Sequence, residues 1–148
     1  MLILGFHHIK IAGGTAPGET YLSCQADGFV DLYDKDDESG RQRWEFIEVP
    51  GKSNTYNIRV WSGTNPGETY LSCTEEGMVD LYDKVGIRQE WVLQSLGNSK
   101  YNIKIAGGTN TGETYLSVTE DGALVNISSH DDNSGRQKWI IDPPVKSE

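Results

Sequence analysis

Short runs in which apolar and polar residues alternate recur along this chain, and the same succession of runs is written three times. Each copy opens on a β-branched stretch, His8-Ile9-Lys10-Ile11, Asn57-Ile58-Arg59-Val60 or Asn102-Ile103-Lys104-Ile105. Period-two alternation of this kind predicts a half-buried strand. Gly-Thr-x-x-Gly then predicts a turn at 14–18, 63–67 and 108–112, and Thr-Tyr-Leu-Ser a second strand that ends on Asp27-Gly28, Glu76-Gly77 or Asp121-Gly122. A third strand is predicted at Val30 to Tyr33, Val79 to Tyr82 and 124–128. A polar loop leads from it to a fourth, where Trp44 and Phe46, Trp91 and Leu93, and Trp139 and Ile141 alternate inward. Four strands per copy make twelve, no stretch sustains a helical period, and the fold class is therefore all-β.

The repetition is close to literal. Gly-Glu-Thr-Tyr-Leu-Ser stands at 18–23, 67–72 and 112–117, and each copy closes on Arg-Gln-x-Trp, with steps of 47 and 48 residues between the tryptophans. A unit repeated at fixed period cannot bury its apolar face alone and must share a core with its neighbours, so pseudo-three-fold symmetry is expected. No Pro/Gly/Ser linker separates the copies, which predicts one domain over 1–148 with repeats at about 6–55, 56–100 and 101–148. Three copies are too few for a propeller and favour a closed barrel with hairpins capping one end.

Charge narrows the partners. The chain has 13 basic and 22 acidic residues, and its net charge of -9 repels nucleic acid and anionic membrane surfaces. The opening Met-Leu-Ile-Leu-Gly-Phe is too short for a signal sequence or a membrane span, so a cytoplasmic protein, or one released without a signal peptide, is expected. Cys24 and Cys73 occupy one slot of the repeat that Val118 fills in copy three, which predicts buried free thiols and no disulfide.

With Leu32 and Leu81 facing the core, alternation sends Asp31 with Tyr33, and Asp80 with Tyr82, outward on one side. An exposed ring beside an acceptor suits a hexose, whose apolar face stacks on the ring while its hydroxyls bond carboxylates and amides. Arg41, Arg88 and Arg136 supply a donor to each copy.

Three four-stranded units that each end in Gln-x-Trp resemble the β-trefoil fold in its ricin-B-like lectin branch, over essentially the whole chain. Tyr-Leu-Ser followed by an Asp-Gly turn is also similar to the β-trefoils of fascin and hisactophilin. The lectin resemblance implies a carbohydrate-binding protein with up to three repeat-related shallow sites for galactose or N-acetylgalactosamine-type glycans, and no cofactor. It implies a site at the third-strand aromatic and the residue before the Gln: Tyr33 and Arg41, Tyr82 and Arg88, Ser128 and Arg136. With the outward residues added, the expected ligand set is Asp31, Tyr33, Arg41, Asp80, Tyr82, Arg88, Asn126, Ser128 and Arg136. Copy three reads Asn126-Ile127-Ser128 and lacks the aromatic, so two competent sites and a weaker third are expected. The chain departs from the family in carrying Ser23, Ser72 and Ser117 where a sugar-binding Asp is usual, and Arg in place of Asn before the Gln. Glycans are the expected partners, and a homodimer is compatible with them. The alternatives are a β-trefoil protease inhibitor, in which a single loop enters a protease, and a fascin-like actin-binding module.

Other chemistry finds little support. No histidine is placed by pattern beside a Ser or Cys nucleophile, so no enzyme is expected and no catalytic residue is named. The run Asp34-Lys35-Asp36-Asp37-Glu38-Ser39-Gly40 has the wrong register for a calcium loop and reads as a solvated acidic turn, with no metal. Glu19, Glu68 and Glu113 recur in front of the second strand, as turn-pinning side chains or as ligand acceptors. Trp61 replaces Ala12 and Ala106, and serves either as a partner contact or as packing against the neighbouring copy.

Overall fold

In the computed structural model, residues 6–110, 112 and 114–143 are described. Copy one contains β1 (His8–Ile11), β2 (Tyr21–Cys24), β3 (Val30–Tyr33) and β4 (Trp44–Glu48). Copy two contains β5 (Thr55–Val60), β6 (Tyr70–Cys73), β7 (Val79–Tyr82) and β8 (Trp91–Gly97), with a 3-10 turn at Ile87–Gln89. Copy three contains β9 (Lys100–Ile105), β10 (Tyr115–Val118), β11 (Val125–Ser128) and β12 (Trp139–Asp142).

First and fourth strands pair antiparallel in the order β1-β12-β9-β8-β5-β4, and a bridge from His7 to Trp44 brings β4 back beside β1. That closes a barrel. Each second strand pairs with the third of its own copy, and the three hairpins meet through β3, β7 and β11 at one end. The fold is a β-trefoil with pseudo-three-fold symmetry.

The core repeats with the sequence. Ile9, Ile58 and Ile103 from first strands, Leu22, Leu71 and Leu116 from second strands, and Trp44, Trp91 and Trp139 from fourth strands are all fully buried. Burying an indole also buries an N–H, which needs a partner. Each indole donates to the carbonyl of its copy's second-strand leucine, Trp44 to Leu22 at 2.9 Å, Trp91 to Leu71 at 2.8 Å and Trp139 to Leu116 at 2.9 Å. Each tryptophan thus bonds the barrel to its cap hairpin. Cys24, Cys73 and Val118 share a buried slot as expected, and burial pushes both free thiols up to about 12.

Two details differ from expectation. The third strand of copy three starts at Val125, because Ala123 adds a residue to the turn and leaves Leu124 exposed, its N–H bonded to Thr119 Oγ1 at 3.3 Å. Phe46 is only partly buried, set edge-on between His7 and Tyr56 at the barrel rim.

Candidate functional site

Strand register builds the site. In the cap hairpins Ser23 lies opposite Asp31, Ser72 opposite Asp80, and Ser117 opposite Asn126. The buried glutamine of each Gln-x-Trp motif donates to that serine: Gln42 Nε2 to Ser23 Oγ at 2.9 Å, Gln89 to Ser72 at 2.7 Å and Gln137 to Ser117 at 2.8 Å. Ser23 and Ser72 in turn face Asp31 and Asp80 across the hairpin and favour their ionised carboxylates. The motif's glutamine therefore fixes the floor on which the acid sits.

Above that floor the predicted residues come together in two copies. Asp31, Tyr33 and Arg41 line a hollow of about 330 Å3 with Gln25, Asp37 and Gln42. Asp80, Tyr82 and Arg88 line one of about 360 Å3 with Thr74, Glu75 and Ile87. Leu32 and Leu81 are buried beneath, which leaves Tyr33 and Tyr82 40% and 49% exposed. Partial burial pushes the Asp31 and Asp80 carboxyls up, against the influence of their serines and the attraction of Arg41 and Arg88. Copy three is different: Asn126 and Ser128 are half-buried, Ser128 lies opposite Tyr115, and no aromatic follows Ile127.

The arginines do more than border these hollows. Arg41 Nη1 donates to the Gly63 carbonyl at 3.2 Å, Arg88 to Gly108 at 3.4 Å and Arg136 to Gly14 at 3.1 Å, so each ties its copy to the first-hairpin turn of the next. The three glycines have positive φ, and a Cβ on any of them would stand within 2.6–2.8 Å of the arginine's Cγ. This cyclic tie was not read from the sequence, although a Gly and an Arg retained in all three copies were its trace. The recurrent glutamates behave similarly. Glu19 packs on Gly122 and Glu68 on Gly28, each covering the cap turn of the preceding copy. Both contacts join neighbouring copies. Glu113 lies outside the described residues.

The acidic run forms turns. Asp36 and Asp37 accept from the amides of Glu38 and Ser39 at 2.8 and 2.9 Å, and Asp131 and Asp132 repeat this with Asn133 and Ser134, both at 2.9 Å. Asp36 also accepts from Arg43 Nε at 2.8 Å and lies 2.7 Å from His8 Nε2. Among the described residues no cluster of three His, Cys, Asp or Glu could hold a metal ion. Trp61 is 46% exposed and meets Phe6 edge-on, bordering a hollow of about 590 Å3 along the β5–β6 hairpin that lies apart from the Asp-Tyr-Arg sites.

No protein-family model and no curated protein sequence matches this chain. Solved structures do. The designed three-fold symmetric protein ThreeFoil aligns with a TM-score of 0.67 at 21% identity, over 91% of this chain and 96% of its own. SeviL bound to asialo-GM1 saccharide aligns at 0.64 and 16% identity, over 94% and 97%. The Polyporus squamosus lectin bound to the human-type influenza-binding epitope Neu5Aca2-6Galb1-4GlcNAc aligns at 0.63 and 18% identity, over 95% of this chain and 50% of its own. At these identities the likeness is one of fold.

Proposed function

We propose that this chain is a carbohydrate-binding protein of the ricin-B-like kind, a lectin that presents shallow sites for galactose or N-acetylgalactosamine-type glycans. The observation that carries the proposal is the convergence of an exposed tyrosine, a carboxylate and a guanidinium in one hollow, twice, on a floor held by the Gln-x-Trp glutamine. Tyr33 and Tyr82 offer the ring on which a pyranose face stacks, Asp31 and Asp80 accept from its hydroxyls, and Arg41 and Arg88 donate to its oxygens. Both hollows hold further acid, Asp37 in one and Glu75 in the other, which favours neutral sugars over carboxylate-bearing ones. Two of the structures similar in fold have saccharides bound, which supports the same reading. Two sites on one rigid body raise avidity without new contacts when both reach the same surface. The role is binding, not catalysis.

A glycan array with the intact protein, repeated with Tyr33→Ala/Tyr82→Ala, tests the proposal. Binding to terminal galactose or N-acetylgalactosamine glycans that the double variant loses is the expected result. An empty array, or an unchanged one, overturns it.

A further inference from the structure

The hollows of copies one and two differ in three respects. Their acids are satisfied differently. In copy one, Gln25 Nε2 donates to Asp31 Oδ2 at 3.3 Å, whereas Thr74 takes that position in copy two and is too short to follow. Among the described residues, Asp80 Oδ1 is the buried side-chain polar atom left without a hydrogen-bond partner. Asp80 therefore meets the hollow without the amide donor that Asp31 has from Gln25.

The arginines differ as well. Arg41 pairs with Asp37 and Arg136 with Asp132, both at 3.8 Å. The loop of copy two is shorter by two residues and reads Lys84-Val85-Gly86-Ile87, with no acid to match. Arg88 is accordingly exposed, and among the described residues it has no ion pair. The third difference lies just before the arginine. Gly40 and Gly135 precede it in copies one and three, both with positive φ, while copy two has Ile87 at the start of its 3-10 turn. Ile87 rests on Gly107 and Gly108 of copy three, yet stays 44% exposed.

A carboxylate lacking the amide donor that Gln25 gives Asp31, a guanidinium outside any ion pair among the described residues and a bared apolar side chain therefore border one hollow. An acetamido group carries the complement of all three: an N–H for the carboxylate, a carbonyl for the guanidinium and a methyl for the isoleucine. A ring hydroxyl has no methyl and leaves Ile87 uncovered. Resting on the carbohydrate-binding function proposed above, we infer that the copy-two hollow is selective for N-acetylhexosamines, with Asp80, Arg88 and Ile87 as the selecting residues. Copy one, with Asp37 and Gly40 at the corresponding places, lacks that selectivity.

The test is a pair of heteronuclear NMR titrations of the intact labelled protein with methyl N-acetylgalactosaminide and with methyl galactoside, following the amides of 79–82 and 30–33 separately. The acetamido sugar is expected to bind at 79–82 about tenfold more tightly than the plain one, the factor that one satisfied hydrogen bond to a charged group supplies. No such preference is expected at 30–33. Asp80→Asn should abolish the preference, and Ile87→Ala should reduce it several-fold while the melting temperature shows the variant folded. Equal affinities at 79–82, or a preference untouched by Asp80→Asn and Ile87→Ala, overturn the selectivity but leave the general function standing if either sugar binds. No shift with either sugar, together with an empty glycan array, overturns both.

Discussion

Arg136 Nη1 donates to the Gly14 carbonyl at 3.1 Å across 122 residues of chain, joining the last copy to the first. With Arg41 on Gly63 and Arg88 on Gly108, this bond makes the arginine before each Gln-x-Trp motif both a border of the candidate site and a strut of the barrel. Substituting these arginines would confuse the two roles, so the glycines test the strut more cleanly.

Gly14→Ala places a Cβ 2.7 Å from the Ser134 carbonyl and 2.8 Å from Arg136 Cγ, at a φ of +83°. Gly51→Ala meets the same backbone strain at a φ of +80°, with nothing within 4 Å. Strain alone should cost about 1–2 kcal/mol at Gly51, and strain plus displacement roughly 2–4 kcal/mol at Gly14. Urea denaturation of both variants measures the difference, and equal losses would show that the close approach contributes nothing.

Asp36 gives the fold an acid dependence. Partial burial raises its pKa, but the hydrogen bonds from Arg43, His8 and the Glu38 amide outweigh that and hold the carboxyl down at about 2. A depressed folded-state value stabilises at pH above the ordinary 3.8 and is lost as the pH falls from there toward 2. Asp36→Asn should cost on the order of 1–2 kcal/mol at neutral pH and flatten the stability profile in that window, as read by denaturation at several pH values.

Asp80 works in the opposite sense. Its pKa is raised, chiefly by burial, so its contribution to stability is present at low pH and lost as the carboxyl ionises. Asp80→Asn should therefore melt higher than the parent at neutral pH while losing the preference for the acetamido sugar at copy two. Binding by the parent protein should weaken as the pH falls through a range above the usual carboxylate value, because protonation removes an acceptor. A variant that is less stable at pH 7 would contradict the assignment.

Both thiols are buried and titrate near 12. Only the thiolate is a competent nucleophile, so iodoacetamide at pH 8 should leave Cys24 and Cys73 unmodified in the native protein and label both in denaturant, as counted by mass spectrometry.

Trp61 is 46% exposed, whereas Trp44, Trp91 and Trp139 are fully buried. Acrylamide should quench one component of the native fluorescence readily and the remainder poorly. Trp61→Phe should remove the quenchable component and leave a blue-shifted emission. Quenching that survives the substitution would mean that a core indole is reached by solvent.

Much of this protein was legible as pattern. Alternation in His8-Ile9-Lys10-Ile11 and its two echoes placed the strands, and the spacing of Trp44, Trp91 and Trp139 gave the pseudo-symmetry, since period and burial are local properties of a strand. The outward phase of Asp31 with Tyr33 and of Asp80 with Tyr82 followed from the same alternation. What alternation could not supply was contact between copies. That Arg41 reaches Gly63, that Glu68 covers Gly28 and that Asp80 keeps an oxygen without a partner all depend on which turn lies against which after the barrel closes. Closure brings together segments far apart in the chain, and the register and approach of those segments decide each hydrogen bond.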